Sequence, residues 1–176
     1  ELDAITINFP TPQPKAKYAK KRLVHVDHLM LYRPLFSAGA TVTLRTDSKP
    51  LRDYALGQFA AAGYDTLWVS DDVRRDHPEH PETEYERRTR EMGAAVYGIC
   101  ATPGAQPSDE QLAAGRAQEQ SLACYLPDNL DELAYVPLGM EEAVENFRNR
   151  ARKGKKRLPQ ESQGPLMVAA SANKRK

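Results

Sequence analysis

The sequence lacks the features that mark membrane and secreted proteins. No stretch approaches the ~20 consecutive apolar residues of a membrane-spanning helix. The opening residues, ELDAITINFP, have neither the basic nor the apolar region of a signal peptide. The two cysteines, Cys100 and Cys124, are too few for a disulfide framework. We therefore expect a protein of a reducing compartment, inside a cell or within a virion, without membrane contact.

The common sequence motifs of catalysis are missing too. There is no glycine-rich phosphate loop, no strand–serine–helix nucleophile turn and no local cysteine–histidine signature. Both cysteines lie among apolar residues and are expected to pack as small hydrophobic side chains. These absences predict a protein that is not an enzyme and that carries no cofactor.

The four histidines form two pairs of equal spacing, His25 with His28 and His77 with His80. Imidazoles in such pairs can bind zinc. However, the first pair falls in a predicted strand, where positions 25 and 28 point to opposite faces. The second pair lies in DHPEHPETE, whose His-Pro repeats are typical of turns. We therefore predict no metal site.

The formal net charge of +1 conceals a strong separation of charge along the chain. Residues 1–22 and 148–176 together hold 15 basic and 3 acidic residues, a net charge of +12, whereas residues 23–147 carry −11. We predict that the basic segments bind a partner, protein or phosphate. The side chains proposed for this contact are Lys15, Lys17, Lys20, Lys21, Arg22, Arg152, Lys153, Lys155, Lys156 and Arg157.

Both basic segments have the composition of extended arms. The N-terminal segment has proline at positions 10, 12 and 14, which favours extended backbone and removes hydrogen-bond donors. The C-terminal segment is rich in Gly, Pro, Ser and Lys, with one short apolar patch, LMVAA. Such segments bury too little apolar surface to offset the entropy of ordering. We therefore divide the chain into an N-terminal arm (1–22), an acidic globular body (23–147) and a C-terminal arm (148–176).

The body begins with a strand–strand–helix–strand pattern. The apolar run RLVHVDHLMLY, which ends before Pro34, is a predicted strand, and ATVTLRTD alternates with the period of a second strand. A helix is predicted to follow, because Asp47 or Ser48 can cap its start, Pro50 suits its first turn and Gly63 can end it. DTLWVSDD is the third strand, and it should run parallel to the second. The side chains expected to share one core are Leu51, Tyr54, Phe59, Leu67 and Val69.

Three helical segments are predicted to follow. Residues 83–99 combine capping-box spacing at Thr83 and Glu86 with an apolar stripe, and residues 108–126 open with a second box at Ser108 and Gln111. Residues 140–153 carry acids in the first turn and bases in the last. The predicted fold class is therefore α/β, or α+β: a small sheet, three helical segments and two flanking basic arms.

Three carboxylates leave an enzymatic alternative open. Asp47 ends one predicted strand, and Asp71 and Asp72 end the next, so they would gather at the carboxyl edge of a parallel arrangement. Magnesium-dependent phosphoryl chemistry would need such a set. Each residue also fits a helix cap or a surface turn. A metal-dependent phosphoester hydrolase is therefore an alternative.

The basic segments decide the predicted function. The acidic body of a neighbouring copy could accept them, and such charge complementarity mainly sets partner choice and register. Phosphates of a nucleic acid are the other acceptor. We predict a non-catalytic structural subunit of a large assembly, such as a virion shell or connector, bound to subunits of the same or a neighbouring kind. A nucleic-acid-binding component of a ribonucleoprotein or packaged genome is the first alternative to this function. The metal-dependent phosphoester hydrolase is the second.

Overall fold

The computed structural model describes residues 1–130 and 133–152. In this part of the chain, one four-stranded sheet is combined with α-helices, which confirms the predicted α/β class. The strands are β1 (Leu2–Asn8), β2 (Phe36–Thr46), β3 (Tyr64–Ser70) and β4 (Tyr97–Pro103). The helices are α1 (Val26–Tyr32), α2 (Lys49–Ala61), α3 (Val73–Asp76), α4 (Glu84–Glu91), α5 (Asp109–Ala117) and α6 (Glu141–Arg152). Short 3-10 helices lie at Ala16–Lys21, Arg33–Leu35 and Leu122–Tyr125.

The order of the strands across the sheet is β1-β2-β4-β3. β1 runs parallel to β2, and β4 is antiparallel to both of its neighbours, β2 and β3. β2 and β3 therefore share one direction, as predicted for the strands that flank α2, although β4 separates them. The carboxyl ends of β1, β2 and β3 consequently meet at one edge of the sheet, where open α/β folds usually bind ligands. We call this the carboxyl edge.

α2 supplies much of the core. Ser48 caps its start by accepting a hydrogen bond from the Leu51 N–H at 3.3 Å. Gly63, with φ of +69°, follows its end. Leu51, Tyr54 and Phe59 are buried against apolar side chains of β2 and β4. Burying each such side chain contributes about 1.5–3 kcal/mol, so this helix–sheet contact is a main source of stability.

β3 contributes less to the core than predicted. Leu67 is 56% exposed and Val69 is 44% exposed, so the prediction that both join the core of Phe59 is wrong. β3 is the edge strand of the described sheet, and a register shift between Thr66 and Trp68 marks a bulge against β4. Alternate side chains of a strand point to opposite faces, and those of this strand at 65, 67 and 69 remain exposed.

Residues 26–32 form α1 rather than the strand predicted for this apolar run. His25 caps the helix, because its Nδ1 accepts a hydrogen bond from the Asp27 N–H at 3.1 Å. Val26 and Leu29, three residues apart, are both buried, as one side of a helix requires. A short continuous apolar run does not distinguish a strand from a buried helix by its period.

The single helix predicted over residues 83–99 is two elements. Thr83 caps α4 as predicted, accepting a hydrogen bond from the Glu86 N–H at 3.1 Å. α4 ends at Glu91, and Gly93 follows with a left-handed φ of +90°. The chain then forms β4 between β2 and β3. Pairing with two strands distant in sequence outweighs the helical spacing of the apolar residues, because β preference depends on such context.

The first residues belong to the sheet, so the N-terminal arm predicted for residues 1–22 is not confirmed. Leu2–Asn8 pair in parallel with β2, and Ile7 is 5% exposed. Ile5 and Ile7 lie at alternate positions, as in a strand with one buried face. The prolines that suggested an arm follow this strand and do not interrupt it.

The C-terminal half matches the predicted helices in part. Ser108 and Gln111 form the predicted capping box of α5, and α6 has Glu141 and Glu142 in its first turn. The predicted C-terminal arm lies outside the described residues from residue 153 onward, so it stays a prediction. The partner contacts of its basic residues also stay predictions: those of Arg152, the last residue of α6, and of Lys153, Lys155, Lys156 and Arg157. In residues 1–130 and 133–152, no helix is both long and apolar enough to span a bilayer.

Gly98 on β4 allows β3 and α3 to pack closely. A Cβ atom at this position would lie 2.5 Å from Val73 Cγ2 and 2.8 Å from Trp68 Cζ3. We expect Gly98→Ala to lower the free energy of unfolding by about 1–3 kcal/mol through overpacking, measured by urea denaturation. Without the clash, Gly→Ala in a strand would stabilise the protein. A stabilised variant would therefore contradict the close packing.

Candidate active site

The residues that follow β1 and β2 gather at the carboxyl edge. Phe9 extends the pairing of these strands by donating its N–H to the Arg45 carbonyl at 2.7 Å. Its φ of +46° is rare for a bulky residue and is a conformation found at functional sites. The Phe9 ring lies 5.0 Å from the Tyr85 ring of α4, measured between centroids. Asp47, directly after β2, lies beside the same tyrosine.

Asp47 is a buried carboxylate bound by two tyrosine hydroxyls. Its Oδ2 accepts hydrogen bonds from Tyr85 Oη at 3.0 Å and from Tyr135 Oη at 3.1 Å. The residue is 8% exposed, and burial raises the pKa of the carboxyl group although both hydroxyls act in the opposite direction. Phe9, Tyr85 and Tyr135 are each half-buried. The site is therefore a buried hydrogen-bond acceptor bound by two half-buried tyrosines, one of which also contacts the Phe9 ring.

A buried charge network holds α4 against this edge. Glu86 is fully buried and forms ion pairs with Arg45 of β2 and Arg74 of α3. Arg74 Nη2 lies 2.8 Å from Glu86 Oε1, and Arg45 Nη1 donates to the Pro81 carbonyl at 2.8 Å. Because Tyr85 is the neighbour of Glu86 on α4, the network also fixes the tyrosine that binds Asp47.

Asp71 and Asp72 lie near the same edge but have other partners. Asp71 Oδ1 accepts a hydrogen bond from Arg52 Nη2 at 2.6 Å, and its side chain is 70% exposed. Asp72 caps α3 by accepting from the Arg74 and Arg75 N–H groups. The geometry therefore supports the cap and surface-turn interpretation for both. Among the residues with described side chains, one group of potential metal ligands is close enough to share an ion: His77, Glu79 and His80.

Four lysines of the predicted partner surface follow Phe9 closely in the chain and are exposed: Lys15, Lys17, Lys20 and Lys21. Lys15 Nζ forms an ion pair with Glu142 Oε1 at 2.8 Å. Lys17 Nζ and Lys21 Nζ each lie 5.0 Å from the centre of the Tyr18 ring. The last three lysines lie on the 3-10 helix Ala16–Lys21. Their contact with a partner stays a prediction.

Arg22 differs from these lysines because it is 1% exposed. Its guanidinium donates to the carbonyls of Pro12 at 3.1 Å and of Gln13 and Gln120 at 2.7 Å. The same group lies 4.4 Å from the centre of the Tyr54 ring. Arg22 thus ties the proline-rich segment to the core and has almost no surface left for a partner.

A family model described as "Putative methyltransferase" matches residues 1–99. The matched stretch is more than half of the chain and includes Phe9, Asp47 and Glu86. The chain belongs to this methyltransferase family. The matched stretch also contains β1, β2 and β3, whose carboxyl ends define the candidate site.

Several bacterial proteins named tRNA (guanine-N(7)-)-methyltransferase are similar to this chain in sequence. The one from Streptococcus equi subsp. zooepidemicus is 31% identical over 103 residues, which cover 58% of this chain and 49% of the relative. That from Exiguobacterium sibiricum is 32% identical over 103 residues (58% and 48%). That from Alkaliphilus oremlandii is 34% identical over 98 residues (55% and 46%). The chain spans about half the length of these curated relatives.

Membership of this family overturns the function predicted from charge. The family and the named relatives are methyltransferases, so the prediction of a non-catalytic virion shell or connector protein is wrong. The same findings contradict neighbouring subunits as the partner, the hydrolase alternative, and the alternative of a component of a ribonucleoprotein or packaged genome. The error has a structural cause. The composition of the N-terminal segment predicts an extended arm, whereas in the structure its basic residues follow β1 and Arg22 is buried.

The sequence points to Asp47 but not to its neighbours. Phe9 falls in the predicted arm, and Tyr135 falls in a predicted loop. The alternation of Ile5 and Ile7 could have located Phe9, because it predicts a strand that ends beside this residue. The two tyrosines that bind Asp47 are 38 and 88 residues from it along the chain, and no local pattern indicates such contacts.

Proposed function

We propose that this protein takes part in the methylation of guanine N7 in tRNA. The observation that carries the proposal is the match over residues 1–99, which spans the carboxyl edge with Asp47 and Glu86. Relatives similar over this stretch are named for that reaction. The proposal also gives the exposed lysines a partner, the phosphates of tRNA. It agrees with the expectation of a reducing compartment, since tRNA is modified inside the cell.

The chemistry of guanine fits the carboxylate at the carboxyl edge. Guanine N7 and O6 are hydrogen-bond acceptors, whereas its exocyclic N2 amino group is a donor. An ionised carboxylate only accepts hydrogen bonds. Asp47 would therefore bind the donor edge of the base, on the side away from N7. This orientation leaves the N7 lone pair uncovered for the methyl group.

The aromatic rings around Asp47 fit a base that has left its stack. A base that is modified inside a folded RNA must usually be turned out into a pocket, where aromatic side chains stack on it. Tyr85 and Tyr135, which bind the carboxylate, are half-buried, as is Phe9, whose ring contacts Tyr85. The charge network of Glu86 holds Tyr85 in place, so this ring would move little when the base binds.

Methyl transfer also requires a donor cofactor. The sequence has no glycine-rich loop between a strand and a helix, which is the usual cradle of a nucleotide-type cofactor. The residues present therefore do not account for binding of such a donor. The steps proposed for this chain are the binding of tRNA phosphates and the positioning of guanine.

The lysines on the 3-10 helix are proposed to bind tRNA phosphates. Lys17, Lys20 and Lys21 are exposed and lie within 12 residues of Phe9 in sequence. Cations on a nucleic-acid surface release condensed counterions, so affinity falls steeply with salt. Contacts to phosphate position the RNA but do not read its sequence. The lysines would thus bring tRNA to the carboxyl edge, where Asp47 selects the base.

Each of these three lysines should contribute to the salt dependence of tRNA binding. We expect Lys17→Ala, Lys20→Ala or Lys21→Ala to reduce the slope of log affinity against log salt by about 1 in magnitude. Fluorescence anisotropy with labelled tRNA would measure this slope. Arg116→Ala is the control, since it also removes one positive charge but Arg116 already pairs with Asp27 at 2.8 Å. Equal changes in control and lysine variants would argue against a local phosphate site.

The proposed function is tested with unmodified tRNA. Binding of labelled tRNA is measured by fluorescence anisotropy and compared with binding of duplex DNA of equal length. We expect the protein to bind tRNA more tightly than it binds the DNA. Failure to bind tRNA at low salt would overturn the proposal.

A further inference from the structure

A second group of functional side chains lies in the loop between α3 and α4, outside the candidate active site. Residues 77–80 form a turn in which the His80 N–H donates to the His77 carbonyl at 3.2 Å. Pro78 at the second position presets the φ angle that such a turn requires. His77 Nδ1 lies 3.3 Å from Glu79 Oε1, and His80 Nε2 lies 4.0 Å from the same oxygen.

We propose that His77, Glu79 and His80 bind a zinc ion, in contrast to the absence of a metal site expected from the sequence. Their three ligand atoms all lie within 4.8 Å of one another. Zinc binds imidazole nitrogen and carboxylate oxygen at about 2.0–2.2 Å in tetrahedral geometry, so its ligand atoms lie about 3.3 Å apart. The His77–Glu79 distance already has this value. The Glu79 side chain is 66% exposed, so a water molecule can supply the fourth ligand.

The surroundings hold the turn in a conformation suited to metal binding. Arg74 Nη1 donates to the His80 carbonyl at 2.8 Å, and Arg45 Nη1 donates to the next carbonyl, that of Pro81, also at 2.8 Å. Both arginines are anchored by the buried Glu86. Ligands whose positions are fixed by neighbouring groups bind a metal with less loss of entropy.

Trp68 orients one of the proposed ligands. Its ring stacks on the His77 ring, with centroids 4.0 Å apart and planes inclined by 25°. It also contacts the His80 ring edge-on, with centroids 5.7 Å apart. Gly98 leaves the space in which the Trp68 ring lies. Because both imidazoles contact the same ring, they lie on one side of the turn. His77 and His80 can therefore bind one ion without a ligand from His25 or His28.

Zinc at this site would stabilise the loop between the two helices that carry Arg74 and Glu86. The loop joins α3, which carries Arg74, to α4, which carries Glu86. A ligand that binds only the folded protein stabilises it in proportion to the logarithm of its concentration. Zinc is therefore expected to raise the melting temperature, and this effect does not depend on tRNA or on methyl transfer.

The test uses the single tryptophan of the chain, Trp68, as a reporter. Protein freed of metal by chelation is titrated with zinc chloride while tryptophan emission is recorded, and bound zinc is counted by elemental analysis after dialysis. We expect one zinc ion per chain. His77→Ala and His80→Ala should weaken binding by about tenfold or more, since even the loss of a supporting group costs about that much. His28→Ala is the matched control and should bind zinc normally.

A further variant separates loss of the site from loss of the fold. The exposed Glu79 can be changed to glutamine without disturbing the core, and Glu79→Gln should weaken zinc binding while the circular dichroism spectrum stays unchanged. The proposal is overturned by an absence of bound zinc in the unchanged protein. Zinc binding that survives both His77→Ala and His80→Ala would overturn it too.

Discussion

Replacing Asp47 with asparagine is expected to remove the preference of the protein for guanine in RNA. Charge-assisted hydrogen bonds contribute about 1.5–3 kcal/mol, which corresponds to about 10- to 150-fold in affinity at 1.4 kcal/mol per tenfold. The measurement is the binding of a short RNA with one unpaired guanine, compared with the same RNA carrying inosine. Inosine lacks the N2 amino group, so the unchanged protein should bind it less tightly than guanine. Asp47→Asn should bind both RNAs with similar, low affinity.

The same substitution should not destabilise the fold at neutral pH. Burial raises the pKa of Asp47 above its usual value of 3.8. The folded protein therefore retains a proton that the unfolded chain releases, and Asp47 costs stability as the pH rises from about 3.8 through its folded-state pKa. Asparagine carries no charge and avoids this cost. We expect an unchanged or higher melting temperature at pH 7 together with the loss of guanine preference.

Asp71→Asn is the control for this prediction. Asp71 also follows a strand at the carboxyl edge, but its side chain is 70% exposed and pairs with Arg52. Its substitution should leave the preference for guanine over inosine intact. Loss of the preference in Asp71→Asn but not in Asp47→Asn would show that the base-binding carboxylate has been misassigned.

Replacing Glu86 with glutamine is expected to lower the free energy of unfolding by about 3–5 kcal/mol, because it leaves buried positive charge without its partner. Glu86 is fully buried, and Arg45, with which it pairs, is 1% exposed. A loss of this size is a large part of the 5–15 kcal/mol that stabilises a typical domain. The midpoint and slope of urea denaturation would measure it.

Glu84→Gln provides the matched control on the same helix. Glu84 pairs with Arg87 at the surface, and the two side chains are 65% and 59% exposed. Exposed pairs of this kind contribute little to stability because water and salt screen them. The control should keep the urea midpoint of the unchanged protein. If Glu84→Gln and Glu86→Gln shifted the urea midpoint equally, this would contradict the burial of the Glu86 network.

Elements whose signals are local were the ones that sequence reasoning placed correctly. α2 has a capping serine, an early proline and a terminal glycine within 16 residues, and both bounds agree with the prediction. The caps of α4 and α5 at Thr83 and Ser108 were also predicted. In these cases the residues that decide the conformation lie within one or two helical turns of each other, so the sequence records them directly.

Elements decided by distant partners were the ones assigned wrongly. β4 follows a helical apolar spacing, yet it pairs with β2 and β3 and lies between them. β1 precedes three closely spaced prolines, yet its pairing with β2 brings it into the sheet. The energy of strand pairing depends on which strand lies alongside, and local composition does not indicate which strand that is.

The sequence by itself determined the α/β class, the direction of β2 relative to β3, and the presence of Asp47 at the end of a strand. Only the tertiary structure brought Tyr85 and Tyr135 to that carboxylate and enclosed Glu86 between Arg45 and Arg74. The physical reason is the same in both cases. Backbone preferences act over a few residues, whereas burial of a charge becomes favourable only when the groups that compensate it arrive from other elements of the fold.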